Sequence, residues 1–235
     1  MGSDMKEQRS SVGSTELIRL VAFRYVMGLV VLGLTFFLSA GTIRYWHAWV
    51  FLAILFIPMF FVLLYLVKYD PALLERRMRK REKEIPQNLF IKLSTVAFCA
   101  AFLMPGFDYR FGWSSVPVCL VVAADLLVFL GYFLFFLVLR ENSYASRVVE
   151  VDKGQKVIST GPYVYVRHPM YSAALIMFLF SPIALGSYWA LIAMIPIPFV
   201  FIVRINNEEK LLRNRLVGYE EYARKVRYRL IPKIW

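Results

Sequence analysis

Long apolar runs separated by short polar connectors set the pattern of this chain. The runs cover roughly 17–40, 46–67, 89–104, 115–139, 170–185 and 187–204. Crossing a bilayer as a helix takes about 20 predominantly apolar residues. The pattern therefore predicts an all-α integral membrane protein with about six transmembrane helices. It also suggests three parts: a polar tail over 1–16, a four-helix region over 17–139, and a C-terminal region over 140–235. The last part holds a helical hairpin at 170–204 and a further helix after it.

Composition agrees with the pattern. Of 235 residues, 59% are hydrophobic and 17% aromatic, more apolar than a soluble domain of this size. The formal net charge is +12, and its distribution matters more than its size. Lys and Arg concentrate before the first run, in "KYDPALLERRMRKREKEIPQN" at 68–88, between Arg140 and Arg167, and after residue 204. The alternate connectors, "GTIRYW" and "PGFDYRFGWSS", hold little beyond Arg44 and Arg110. The positive-inside rule then predicts cytoplasmic N- and C-termini and two cytoplasmic basic loops. Such charge points to an anionic leaflet ahead of nucleic acid. The 68–88 segment mixes leucines with dense charge and reads as an interfacial helix or a solvated charge run.

Other signals are sparse. The polar first residues are too poor in apolar side chains for a cleavable signal. Cys99 and Cys119 lie inside apolar runs and form neither a disulfide framework nor a metal pair. His47 and His168 stand far apart without an HExxH or CxxC context, so no metal site is expected. No signal bears on the oligomeric state.

The chemistry gathers at one place. "LGSYW" reads as a tight turn around Gly186, making the last two runs an antiparallel hairpin. His168 lies 19 residues before Ser187 and Arg204 lies 17 after it. At about 1.5 Å rise per residue the two come to similar depth, side by side. Pro169 suits the first turn of a helix, with His168 held out of the helical conformation before it. The free N–H groups of that turn favour an anionic ligand group. Arg204 and Glu208 share a helical face, and Glu209 lies beside them. Ordinary interface anchoring by Arg, His and Tyr explains each residue singly, but not their convergence from both arms of a hairpin.

The two-part pattern "GPYVYVRHPMY" and, one hairpin later, "RINNEEKLLRNRLVGYEEYARKVRYRLIP" resembles the isoprenylcysteine carboxyl methyltransferase family. Membrane methyltransferases acting on phospholipid amines share much of it. The resemblance covers roughly Asn142 to Pro232. It implies an S-adenosylmethionine pocket lined by Gln155, Lys156, Val157, Ile158, Tyr163, His168, Pro169, Met170 and Tyr171, with Glu208 as the acidic cofactor contact. It also implies that Arg204 binds the acceptor, with Arg204 and Glu208 as the catalytic pair. Within it, 157–163 forms a lid strand and "ENSYASRVVEVDKGQKV" an ordered cytoplasmic loop capping the cofactor.

These residue types suit methyl transfer. Tyrosine faces attract a sulfonium, and a carboxylate accepts from ribose hydroxyls or an amino group. Arg204 can hold a carboxylate acceptor, already ionised at neutral pH, whereas an amine must first lose a proton to Glu208 or Glu209. No glycine-rich dinucleotide turn occurs, so a cofactor must sit among the helices and the acceptor arrive from the bilayer as a lipid or lipidated molecule. The competing readings are phospholipid amine methylation, an NADPH-dependent sterol-type reductase, and a transporter or lipid-binding scaffold. Asp125, deep in the fourth run, reads as structural, protonated or bonded to Thr95 or Ser181. Arg24 either snorkels to the surface or reaches the pocket.

Overall fold

The computed structural model describes residues 14–78, 88–145, 151 and 154–235, with side chains omitted at 14 and 88–96. Among the described residues the fold is all-helical, without strands. The helices are α1 (Ser14–Ala40), α2 (Trp46–Tyr69), α3 (Pro71–Met78), α4 (Asn88–Phe111), α5 (Val118–Glu141), α6 (Pro169–Ala184), α7 (Trp189–Met194), α8 (Pro196–Arg215) and α9 (Tyr219–Lys225). A 3-10 turn spans Gly161–Val164 before α6.

Among the described residues, four stretches are long and apolar enough to cross a membrane: Thr15–Ala40, Trp46–Tyr69, Val118–Glu141 and Trp189–Arg215. The last joins α7 and α8, so Arg204, Glu208 and Glu209 share one helix. At 16 residues α6 is shorter. It extends about 24 Å against a hydrocarbon core of about 30 Å. Helix α4 differs from expectation at its end: it continues through Pro105 to Phe111, so Asp108 and Arg110 are helical and not in a loop. Two anchors explain the extension. Gly106 is pressed against α1, where an added Cβ would fall 1.8 Å from Ser39 Oγ. Asp108, buried beyond it, accepts from Ser114 N–H and Ser114 Oγ at 2.6 Å each, and from Ser187 Oγ.

Lipid tails are as apolar as leucine, so helices in a membrane associate by close packing, with small residues at the contacts. Gly106 provides this for α1 and α4. Gly131 provides it for α5 and α6: a Cβ there would lie 2.9 Å from Met177 Cγ and 3.1 Å from the Ala173 carbonyl. Aromatic and aliphatic side chains of α1, α2 and α5, including Phe36, Phe51 and Val128, fill the centre with Leu185. The expected turn at Gly186 is present with φ +75°, closed by the Tyr45 hydroxyl on the Leu185 carbonyl. That φ favours glycine, and a Cβ there would also lie 2.9 Å from His47 Nε2.

At the other end of the helices, α3 lies beneath the 142–145 turn. Asp70 Oδ1 caps it by accepting from Leu73 N–H at 2.9 Å, Leu73 and Leu74 are buried, and Arg77 donates to the Ala145 carbonyl at 2.8 Å. The rest of the expected interfacial segment, 79–87, lies outside the described residues, as do 146–150, 152 and 153 of the expected cap. Arg24 does not line the cleft described below; it donates to the Met78 carbonyl at 3.1 Å, tying α1 to α3. Asp125 is buried, and its Oδ1 has no hydrogen-bond partner among the described residues. The expected bond to Ser181 is not made, because that hydroxyl donates back to the Met177 carbonyl at 2.6 Å, the usual competition within a helix. Thr95's side chain lies outside the described residues.

Candidate active site

His168 starts the site. It precedes Pro169, adopts φ −123° and ψ 59°, and stands at the N-cap of α6. The backbone N–H groups of Arg167 and His168 donate to the Tyr228 and Arg229 carbonyls, both at 2.9 Å. Ser172 Oγ adds a bond to the Leu230 carbonyl at 2.6 Å. The C-terminal segment is thereby stitched along the entry to α6, under the residues expected to carry chemistry.

The two adjacent glutamates of α8 point different ways, as their helical offset of about 100° requires. Glu209 is buried, 3% exposed, and meets Arg167 Nε at 2.7 Å, Arg229 Nη2 at 3.1 Å and His168 Nε2 at 3.3 Å. Arg167 also donates to the Val226 and Arg227 carbonyls at 2.7 and 2.9 Å. A buried charge is tolerated when it is paired and hydrogen-bonded, and here every participant is. This cluster locks α8, the entry to α6 and the C-terminal segment into one block. Glu209 is saturated by cations and does not line the cleft above it, which removes it as the base considered for an amine acceptor.

Glu208 faces that cleft, its side chain 26% exposed. Its Oε2 accepts from the Tyr171 hydroxyl at 2.8 Å, and the same hydroxyl accepts from Arg204 Nε at 2.8 Å. His168 Nδ1 stands 4.0 Å from Glu208 Oε1. Cation, phenol, carboxylate and imidazole therefore form one connected group from α6 and α8.

The cleft encloses about 860 Å³, counting its open mouth. Gln155, Lys156, Val157, Ile158, Tyr163, His168, Pro169, Met170, Tyr171, Arg204 and Glu208 all line it, so the geometry brings every expected site residue together. The segment expected as a lid strand differs in form: 155–159 has no regular structure, and the 3-10 turn follows at Gly161, φ +57°. The proline after that glycine and the Thr160–Tyr163 backbone bond at 3.1 Å favour a turn over strand pairing.

Other lining residues carry no expectation from sequence. Arg167 enters as the backbone-and-charge staple. Leu212, Leu216, Tyr219 and Tyr222 form an aromatic and aliphatic end opposite the charged one. Asn142 Nδ2 donates to the Tyr163 hydroxyl at 2.7 Å, leaving that hydroxyl's own hydrogen to donate onward. The Tyr222 hydroxyl donates to the Tyr163 carbonyl at 2.8 Å. Burial pushes the Tyr163 phenol up to about 12, so it stays a neutral hydrogen-bonding group. The three-residue spacing of Tyr219 and Tyr222 was the available signal, placing both on one face of a helix. The Tyr219 hydroxyl is buried without a hydrogen-bond partner among the described residues. No group of metal-ligating side chains occurs among the described residues.

Comparison with curated proteins finds no match. Residues 119–216, from the first turn of α5 to the end of α8, match the family described as phospholipid methyltransferase, membrane methyltransferases related to the isoprenylcysteine carboxyl methyltransferases, and it is to that family that this part of the chain is similar.

Proposed function

We propose that the cleft binds S-adenosylmethionine and directs its methyl group to a lipidic acceptor, foremost the carboxylate of an isoprenylcysteine or similar lipidated molecule. The observation that carries this reading is the Arg204–Tyr171–Glu208 chain at one end of a cleft whose other end is apolar and aromatic. The donor set fits such a cofactor. Tyrosine rings suit adenine and a sulfonium, Glu208 suits ribose hydroxyls or an amino group, and the α6 N-terminus suits a carboxylate. The partnerless Tyr219 hydroxyl supplies a further donor at the apolar end.

When bound, S-adenosylmethionine supplies an electrophilic methyl carbon. The protein's part is alignment, since a direct displacement gains chiefly from holding donor and acceptor in line. Arg204 would hold an acceptor carboxylate by its guanidinium and aim one carboxylate oxygen, the nucleophile, at that carbon. A carboxylate is already ionised at neutral pH, so none of these residues would need to take a proton from it. Tyr171 fixes the Arg204 and Glu208 side chains relative to each other.

A second reading is methylation of a phospholipid amine, which the family description favours. There Glu208, partly exposed and singly held by Tyr171, is the group able to take the amine proton. In either case we place six spans across the bilayer, with α4 and α6 as the fifth and sixth. Both termini and the cleft then face the cytoplasm, where the basic segments lie. Transfer of labelled methyl separates the acceptors: protein in nanodiscs is offered an S-isoprenylated cysteine or phosphatidylethanolamine vesicles. Label in a base-labile ester supports the first reading, and label on the headgroup nitrogen the second. Label in neither overturns both.

A further inference from the structure

A second, larger recess lies beside the cleft, about 1470 Å³ counting its open side. Its floor is the α6 face bearing Ser172, Leu175, Ile176 and Leu179, at the three- and four-residue spacing of one helical stripe, and Leu134 and Leu137 of α5 form its wall. From Ser172 to Phe180 the stripe runs about 12 Å along α6. Its polar groups gather at one end. Arg140, exposed in the last turn of α5, lines it there and makes no hydrogen bond or ion pair among the described residues. Tyr165, 70% exposed, lines the same end, and its hydroxyl has no partner among the described residues.

One stretch of chain separates the recess from the cleft. Between Gly161 and Pro169, Tyr163, Arg167 and His168 line the cleft, while Gly161, Pro162, Tyr165 and Val166 line the recess. Neither Arg204 nor Glu208 reaches the recess. An occupant there is therefore not aligned for methyl transfer.

We infer that this recess binds an anionic phospholipid of the surrounding bilayer, its phosphate held by Arg140 and the Tyr165 hydroxyl and its hydrocarbon chains along the α5–α6 groove. The polarity order supports that class of ligand: two free donors, one of them cationic, at the end where α5 leaves its apolar run, and hydrocarbon-lined surface beyond. By backing the 161–169 wall, such a lipid steadies one side of the cleft.

The test uses the full chain in detergent, incubated with phosphatidylglycerol or phosphatidylcholine, and counts retained lipid by native mass spectrometry. This readout needs no cofactor, so it stands apart from the methyltransferase reading. Phosphatidylglycerol is expected to bind more tightly than phosphatidylcholine by about fivefold, the order expected for one arginine facing an anionic lipid. Arg140→Gln should abolish that preference. Leu137→Trp, which fills the groove from a position outside the buried core clusters, should displace both lipids. Equal retention of the two lipids by the wild type, or an unchanged preference in Arg140→Gln, overturns the inference. So does displacement of phosphatidylglycerol by an S-isoprenylated cysteine, which would make the groove the acceptor's own.

Discussion

Glu208 and Glu209 are sequence neighbours with opposite duties: Glu208 faces the cleft and accepts from Tyr171, while Glu209 is buried under it among Arg167, Arg229 and His168. The consequence is a clean separation by mutation. Glu209→Ala leaves a buried arginine unpaired and should cost about 3–5 kcal/mol of stability. Glu208→Ala, at a partly exposed carboxylate, should leave the thermal midpoint nearly unchanged and weaken cofactor binding. Thermal unfolding in detergent beside calorimetric titration checks both. An equal loss of stability in the two variants would contradict the division.

Tyr171→Phe removes a hydroxyl bonded to a cation and a carboxylate while keeping the ring against Phe201. Bonds to charged groups are worth about 1.5–3 kcal/mol, so turnover should fall about 10- to 100-fold with little change in folding. A melting curve identical to wild type should accompany that loss of methyl transfer. Wild-type turnover in Tyr171→Phe would show that the Arg204–Tyr171–Glu208 chain has no role in the reaction.

The Tyr163 phenol gives a pH prediction. Burial raises its folded-state value from 10.0 to about 12, so the folded protein holds this proton more tightly than the unfolded chain does. Its contribution is intact below about pH 10 and is lost as pH rises through about 12. Ultraviolet titration of tyrosinate should find one late-ionising phenol fewer in Tyr163→Phe. Ionisation of this phenol in the ordinary tyrosine range would contradict the buried arrangement.

Helix packing supplies a further check. Gly106→Ala puts a methyl group into Ser39 and the Phe36 carbonyl and should destabilise by about 1–3 kcal/mol. Gly33→Ala on α1, with nothing within 4 Å of the added carbon, should not. Comparable melting shifts for both would mean that α1 and α4 do not meet through Gly106.

Much of this was legible in the sequence, for reasons that also explain what was not. Apolar run length reveals helices, and hairpin arithmetic around Gly186 correctly brought His168 near Arg204 and Glu208. The extension of α4 to Phe111 was hidden because Pro105 and Gly106 read as breakers, whereas the glycine serves contact with α1 and Asp108 secures the end. The different roles of Glu208 and Glu209 were hidden too: their helical offset was readable, but not which face meets Arg167 and Arg229. The Met78 partner of Arg24 and the lack of an Asp125–Ser181 bond were hidden for a similar reason, since such partners are set by packing and not by spacing. The aromatic end of the cleft depends on α9 folding back, which no local pattern announces.

If this cleft is an S-adenosylmethionine site with Glu208 among its contacts, the cofactor binds the resting protein and loses affinity when that carboxylate is removed. Calorimetric titration of the purified protein in nanodiscs with S-adenosylmethionine, on wild type and Glu208→Ala, tests it most directly. Saturable one-site binding by the wild type is expected, weakened at least about tenfold in the variant, the value of a lost charge-assisted hydrogen bond. Absence of binding to the wild type, or equal affinity in Glu208→Ala, would contradict it.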